Sequence, residues 1–318
     1  MYTYFTLHYS AFRVESWYMK RVGTLKAREK AHSELIRHAL ANTEAIFGRL
    51  DAYSYLSALD RSDFLYYHSF YTESLLEIDR RIEDDKLHPV DLADFPQVIR
   101  FPAYEIKAAL FIGTFDPFQM THLAMALRYL ASNQGEAPVV FVVPEGHKNP
   151  LKPDKNDYRY RFDLLSMQVK GVFDPLIVPL DIGEGADTIE IVRRFIALFP
   201  GARVSMTHLL GSDVLPFASR LMHVDMEAWT KEAQIRAVDF TYRAFVVQRD
   251  GFPALESDLS RVREMNLPIH VDDRTIGAPS SSDFRDRHSF SIVFPTETVI
   301  RHIEVLFRYN LNKPWNTG

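Results

Sequence analysis

The stretch FIGTFDPFQMTHLAMA, residues 111–126, runs from an apolar segment through a turn containing Gly113 and Pro117 into a helical pattern that begins near Thr121 and His122. A strand that turns at a glycine lets backbone N–H groups approach an anion closely. The first turn of the next helix adds unpaired N–H groups and the positive end of its dipole. His122, at that helix start, can donate a hydrogen bond to phosphate oxygens. Far downstream, IGAPSSSDFRDR sets Ser280, Ser281 and Ser282 after a turn and before Asp283, Phe284 and Arg285. Three hydroxyls then stand at an expected helix N-terminus, with a guanidinium one turn on. Hydroxyls, free N–H groups and a fork-shaped cation form a second phosphate-binding group. Taken singly, each stretch also fits an ordinary loop glycine or a capped turn; together they point to phosphate.

Residues so far apart in sequence must be brought together by the fold. From residue 24 to about 86 the chain reads helical, with Leu35, Ile36, Leu40 and Ile46 at helical spacing among charges. Pro89, Pro96 and Pro102 then follow within a short, extended-looking linker. This sets residues 1–102 apart as a helical N-terminal module and linker, and residues 103–318 as a second domain. In that domain, strand-like KAALFIG, PVVFVVP, ARVSMTHLLG, RAFVVQR and PIHVD alternate with helical stretches. Such alternation predicts an α/β, Rossmann-like parallel sheet with helices on both faces, whose ligands bind at the carboxyl ends of the strands.

Composition narrows the chemistry. The chain has 318 residues, 47% of them hydrophobic, which suffices for a full core. A net charge of −5 argues against bulk binding to nucleic acid or anionic membrane. With no cysteine, disulfides, a thiolate nucleophile and a Cys-type zinc site are excluded. His32 and His223 lack a second histidine at helical ligand spacing, so no metal site is expected. No apolar run is long enough to span a bilayer and the aromatic N-terminus does not look like a signal peptide, so a cytoplasmic protein is expected.

The two phosphate-type stretches resemble the signatures of the nucleotidyltransferase superfamily, G-x-F-[DN]-P followed by H-x-G-H, and later I-S-S-T-x-x-R. The likeness is greatest to nicotinate and nicotinamide mononucleotide adenylyltransferases. EGHKNPLKPDKNDYRYRFDLL is similar to that family's His-Lys segment with its following arginine, at His147, Lys148 and Arg161. LLGSDVL resembles its G-A-D motif at Gly211 and Asp213, and FVVQRDG its V-x-R-x-G strand end at Arg249. DTIEIVRRF and VFPTETVIRHIEVLFRYN are similar to two of its helices. The resemblance runs in order from Ile106 to Asn310. It departs at Gln119, where the family has the first histidine of H-x-G-H, and at Thr121, where it has glycine. The family's ring-stacking tryptophan has no match at its spacing, and Trp229 lies too far on.

What the resemblance implies is in-line attack by a mononucleotide phosphate on the α-phosphorus of ATP, with release of pyrophosphate and with Mg²⁺ arriving on the ATP. Gly113, Thr114 and Phe115 would offer backbone to the nucleotide, and His122 and Gln119 would contact its phosphates. Ser280, Ser281, Ser282 and Arg285 would hold the β- and γ-phosphates. Asp213, beside Gly211, would hydrogen-bond a ribose. Arg249 would line the site, and Lys148 and Arg161 would stand near the transferring or acceptor phosphates. Other readings stay open: Asp213 as a helix cap, Lys148 and Arg161 as surface charges, a cytidylyl- or adenylyltransferase for another phosphorylated small molecule, and a nucleotide sensor with weakened chemistry. The aromatic residues of DFLYYHSFY are expected to pack, and the helical module either docks on the second domain or mediates homo-oligomerisation.

Overall fold

Five segments rich in β-branched and aromatic residues form long strands of one parallel sheet, joined by a shorter sixth. The computed structural model describes residues 25–49, 58–88, 105–147, 155–277 and 293. Two helices come first, α1 (Leu25–Phe47) and α2 (Ala58–Glu83). Then follow β1 (Glu105–Gly113), α3 (Met120–Ala131), β2 (Val140–Pro144), α4 (Tyr158–Val169), β3 (Ile177–Pro179), α5 (Thr188–Ala197), β4 (Arg203–Gly211), α6 (Leu215–Ile235), β5 (Asp239–Arg249), α7 (Glu256–Glu264) and β6 (Ile269–Ile276). The sheet order is β3-β2-β1-β4-β5-β6, with every pairing parallel. The Rossmann-like α/β architecture expected from the alternation is therefore the one observed. Strand β3 is the addition, three residues too short to register as a periodic signal. The direction of winding reverses between β1 and β4, and open α/β sheets take their ligands in the crevice beyond such strand ends, here Gly113 and Gly211, whereas a cavity lined by Arg81, Glu105, Lys107 and Gly135 lies at the amino end of β1.

Alternation along each strand divides the core in two. Ala109 and Phe111 point to one side, with Leu123, Leu127, Leu165 and Phe173. Ala108, Leu110 and Ile112 point to the other, with Ile191, Phe195, Met222 and Trp229. Trp229 is fully buried there, tilted against Tyr242 at 5.4 Å, and its indole N–H donates to Ile189 O. It is a core residue of the far face. No helix among the described residues is long and apolar enough to cross a membrane.

The N-terminal helices share the first of these cores. Ile36, Phe47, Phe64, Tyr67, Tyr71, Leu75 and Ile78 are buried in the same cluster as α3. Three polar contacts run along the α2–α3 seam. The Tyr67 hydroxyl lies 2.7 Å from Thr121 Oγ1, and the Tyr71 hydroxyl donates to Met120 O at 2.7 Å, both in the first turn of α3. At the other end the buried Arg81 guanidinium donates to Leu130 O and to Gly135 O, the latter at 2.6 Å. A cation at the carboxyl end of a helix satisfies its last carbonyls and opposes its dipole. Helix α2 also reaches the last strand: Gly277 N–H donates to the Tyr66 hydroxyl, and Arg274 pairs with Glu73 while lying over Phe70.

On the far face, burial holds the His208 imidazole down to about 4, with its Nδ1 3.3 Å from the Tyr242 hydroxyl. Burial, aided by the Asp187 carboxylate and opposed by His223, pushes Asp225 up to about 6.

Two outcomes are expected. Arg81→Met leaves two buried carbonyls without a donor and costs roughly 3 kcal/mol, against about 1 kcal/mol for Tyr71→Phe, as read by urea unfolding. The second concerns pH. Between about 6.5 and 4 the unfolded chain takes up a proton that folded His208 refuses, so this residue lowers stability as pH falls. Between about 6 and 4 folded Asp225 holds a proton that the unfolded chain releases, which raises stability as pH falls. Relative to wild type, His208→Gln gains about 2 kcal/mol on going from pH 6.5 to 4.5, and Asp225→Asn shifts in the opposite direction. Urea midpoints at the two pH values check both signs.

Candidate functional site

The turn after β1 is shaped by aromatic packing. Phe115 sits in the left-handed region at φ 43°, and its buried ring folds back over Gly113. A Cβ at position 113 would lie 3.0 Å from that ring, a tight contact that glycine avoids. The same ring meets the His122 imidazole at 4.9 Å, while Phe111 and Phe118 lie 5.8 and 5.5 Å from it. His122 is thus half-buried among three phenylalanines. Its Nδ1 accepts the Gln119 backbone N–H at 3.1 Å. A neutral imidazole that accepts at Nδ1 carries its proton on Nε2, so the ring is fixed as an Nε2–H donor. Gln119 itself is 1% exposed; its side-chain oxygen faces the His122 backbone N–H as the reciprocal half of a capping box, and its amide nitrogen has no hydrogen-bond partner among the described residues.

One arginine ties this turn to the next. Arg161 is 0% exposed; Nη1 donates to Thr114 O, Nη2 to Glu145 O at 2.7 Å, and Nε to Asn156 O at 2.9 Å. It braces the loops after β1 and β2 by their carbonyls, the work of a positioning residue. Asn156 completes the brace, donating from its side chain to Asp116 Oδ1 at 2.8 Å. His147 lies at the end of β2, its N–H on Ala186 O and its Nδ1 buried without a partner.

The strands on the other side of the crevice contribute an ion pair. Asp213 Oδ2 accepts from Arg249 Nη1 at 2.6 Å, and Arg249 is buried. The first turn of α6 has no side-chain cap, so Asp213 faces Arg249 in place of capping the helix. A Cβ at Gly211 would lie 2.3 Å from Asp213 Oδ1, which explains the glycine. Ser212 Oγ accepts the Arg249 N–H at 2.8 Å and donates to Phe252 O. Tyr67, from α2, is near enough to feel the Arg249 charge, while burial pushes its hydroxyl well above the ordinary tyrosine range.

Polar atoms buried without a partner gather at this end of the sheet: Gln119 Nε2, His147 Nδ1, Asp213 Oδ1 and Arg249 Nε. Native structures rarely leave such atoms unpaired, and a cluster of them on converging loops is what a polar ligand would satisfy. Gly113, Thr114, Phe115, Gln119, His122, Gly211, Asp213 and Arg249 all lie at the carboxyl ends of β1, β4 and β5 or in the turns that follow. Lys148, Ser280, Ser281, Ser282 and Arg285 lie outside the described residues. No group of three or more His, Asp or Glu side chains that could hold a metal occurs among the described residues. Sequence reasoning missed Tyr67, whose signal was a tyrosine one helical turn before Tyr71, and the brace by Arg161, for which carbonyl partners leave no signal.

No protein-family model matches the chain, and no curated protein matches it. Among solved structures it is similar to Plasmodium falciparum nicotinic acid mononucleotide adenylyltransferase complexed with NaAD, at 16% identity and a TM-score of 0.42, over 65% of this chain and 99% of that one. The same Plasmodium enzyme complexed with APC matches at 16% identity and a TM-score of 0.40, with the same coverage.

Proposed function

We propose that the chain is a nucleotidyltransferase that transfers AMP from ATP to the phosphate of nicotinate or nicotinamide mononucleotide and releases pyrophosphate. The observation that carries the reading is the pairing at the start of α3. There the Gln119 backbone fixes His122 as an Nε2–H donor, and the Gln119 amide nitrogen has no partner among the described residues. An acceptor phosphate oxygen attacks the α-phosphorus as the bond to the bridging oxygen of pyrophosphate breaks, so the new phosphoanhydride replaces the old and no covalent enzyme intermediate is needed. The protein's contribution is positioning and charge stabilisation. His122 Nε2–H donates to an α-phosphate oxygen, and the Gln119 amide donates beside it in place of an imidazole. Asp213, held by Arg249, accepts a ribose hydroxyl through its unpaired Oδ1. Ser281, Ser282 and Arg285 take the β- and γ-phosphates on the motif resemblance alone. Mg²⁺ would neutralise phosphate charge as it arrives with ATP, the chain having no carboxylate cage among the described residues.

A sensor reading is favoured by one observation: the Gln119 carboxamide donates but cannot carry the positive charge of an imidazolium. Turnover separates the two. With ATP, Mg²⁺ and a panel of mononucleotide, phosphopantetheine and sugar phosphate acceptors, the enzyme releases pyrophosphate, and His122→Ala lowers the rate on the order of a hundred- to a thousandfold. Wild-type binding of ATP without turnover on any acceptor establishes the sensor, and His122→Ala turning over at the wild-type rate sinks the mechanism. For the downstream stretch, Arg285→Ala weakens ATP binding more than Arg287→Ala; equal effects by calorimetry would show the motif wrongly aligned.

A further inference from the structure

Helix α6 turns Leu215, Met222, Trp229 and Ala233 into the core. On its outer side it carries a second apolar row, Val214, Phe217, Leu221 and Val224, which are 44, 63, 41 and 46% exposed. The spacing is 3, 4, 3, and half-buried Ala228, exposed Lys231 and exposed Ile235 continue it. A surface helix with no partner carries polar residues on that side. A seven-residue repeat of apolar positions is instead the seam of a helix pair. The residues flanking the row differ on its two sides. Ala218, Asp225 and Glu232 lie toward the chain's own α5, and Glu232 takes ion pairs from Arg193 and Arg236 at 3.1 and 2.9 Å. On the outer flank, Arg220 and Glu227 are both exposed, one heptad apart, and among the described residues neither makes an ion pair.

We propose that this row is the seam of a homodimer in which α6 packs antiparallel against α6 of a second copy. In the register that sets Leu221 against the partner's Val224, Phe217 meets the partner's Ala228, so the bulkiest side chain of the row faces the smallest. In the same register Arg220 faces the partner's Glu227, and the two-fold axis forms that pair twice. The face is complementary to itself in shape and in charge, which is what an isologous interface requires. A parallel pair would instead set Lys231 against the partner's Lys231 within the seam. Over 21 residues the helix offers a seam of about 31 Å.

The test is sedimentation equilibrium of the full chain with charge-swap variants. Wild type is expected to be a dimer at tens of micromolar. Arg220→Glu and Glu227→Arg each raise the dimer dissociation constant about tenfold, since each replaces two attractive pairs by two repulsive ones. The Arg220→Glu/Glu227→Arg double variant returns to near the wild-type value. Because the chain has no cysteine, mixing Leu221→Cys with Val224→Cys chains under oxidation forms one cross-linked species only if the register is right. Both positions are exposed, so these variants fold. A monomeric wild type at 100 μM, including one whose row is covered by another segment of its own chain, overturns the proposal. So does a double variant no tighter than the singles, or a dimer that neither reversal weakens.

Discussion

Everything at the candidate site depends on where the first turn of α3 stands, and that turn is held from outside the sheet. Helix α3 is largely hydrophobic, with ten of its twelve residues buried, so apolar burial by itself leaves it some freedom to slide, limited from the sheet side by the Arg128 ion pair to Asp272. The hydrogen bonds from α2 remove that freedom. Tyr67 and Tyr71 meet Thr121 and Met120 at one end, and Arg81 meets the last carbonyls at the other. Buried donors to backbone carbonyls are directional in a way apolar contact is not, and leaving one unmade is expensive. The helical pair that seems peripheral in sequence thus fixes the register of the helix carrying Gln119 and His122.

The site then separates into polar groups that are satisfied and polar groups that are not. Arg161 uses its donors on three loop carbonyls, and the charge of Arg249 is balanced by Asp213 through one of its nitrogens. These buried cations build walls. Beside them Gln119 Nε2, His147 Nδ1, Asp213 Oδ1 and Arg249 Nε stand without partners in a setting where desolvation has already been suffered. A ligand that pairs with them recovers hydrogen bonds without first ordering the side chains.

Much of the fold was legible because its signals are local and periodic. The strands around Phe111, Val142, Leu209 and Val246 announce themselves by β-branched and apolar runs, and the glycines at 113 and 211 mark the carboxyl ends of two of them. What escaped was non-local. The hydroxyls of Tyr67 and Tyr71 were legible as part of an aromatic face, but nothing in their neighbourhood says which helix they reach. Arg161 reads as a surface or phosphate-binding charge because its partners are main-chain carbonyls, identical at every residue and silent in sequence. Trp229 sits far from any strand end in the fold because its helix turns it inward beside Met222 and Ala233.

The brace by Arg161 has an effect on the other side of the peptide group it grips. The peptide joining Thr114 to Phe115 is trans, so its N–H points opposite to its carbonyl. With the carbonyl of Thr114 drawn to the guanidinium, the N–H of Phe115 is turned away from it. The cation pulls electron density toward the carbonyl oxygen and leaves that amide hydrogen more acidic. A positive charge buried beneath the loop is therefore relayed as a dipole to its opposite surface, so an arginine can strengthen a backbone donor without itself touching what the donor binds.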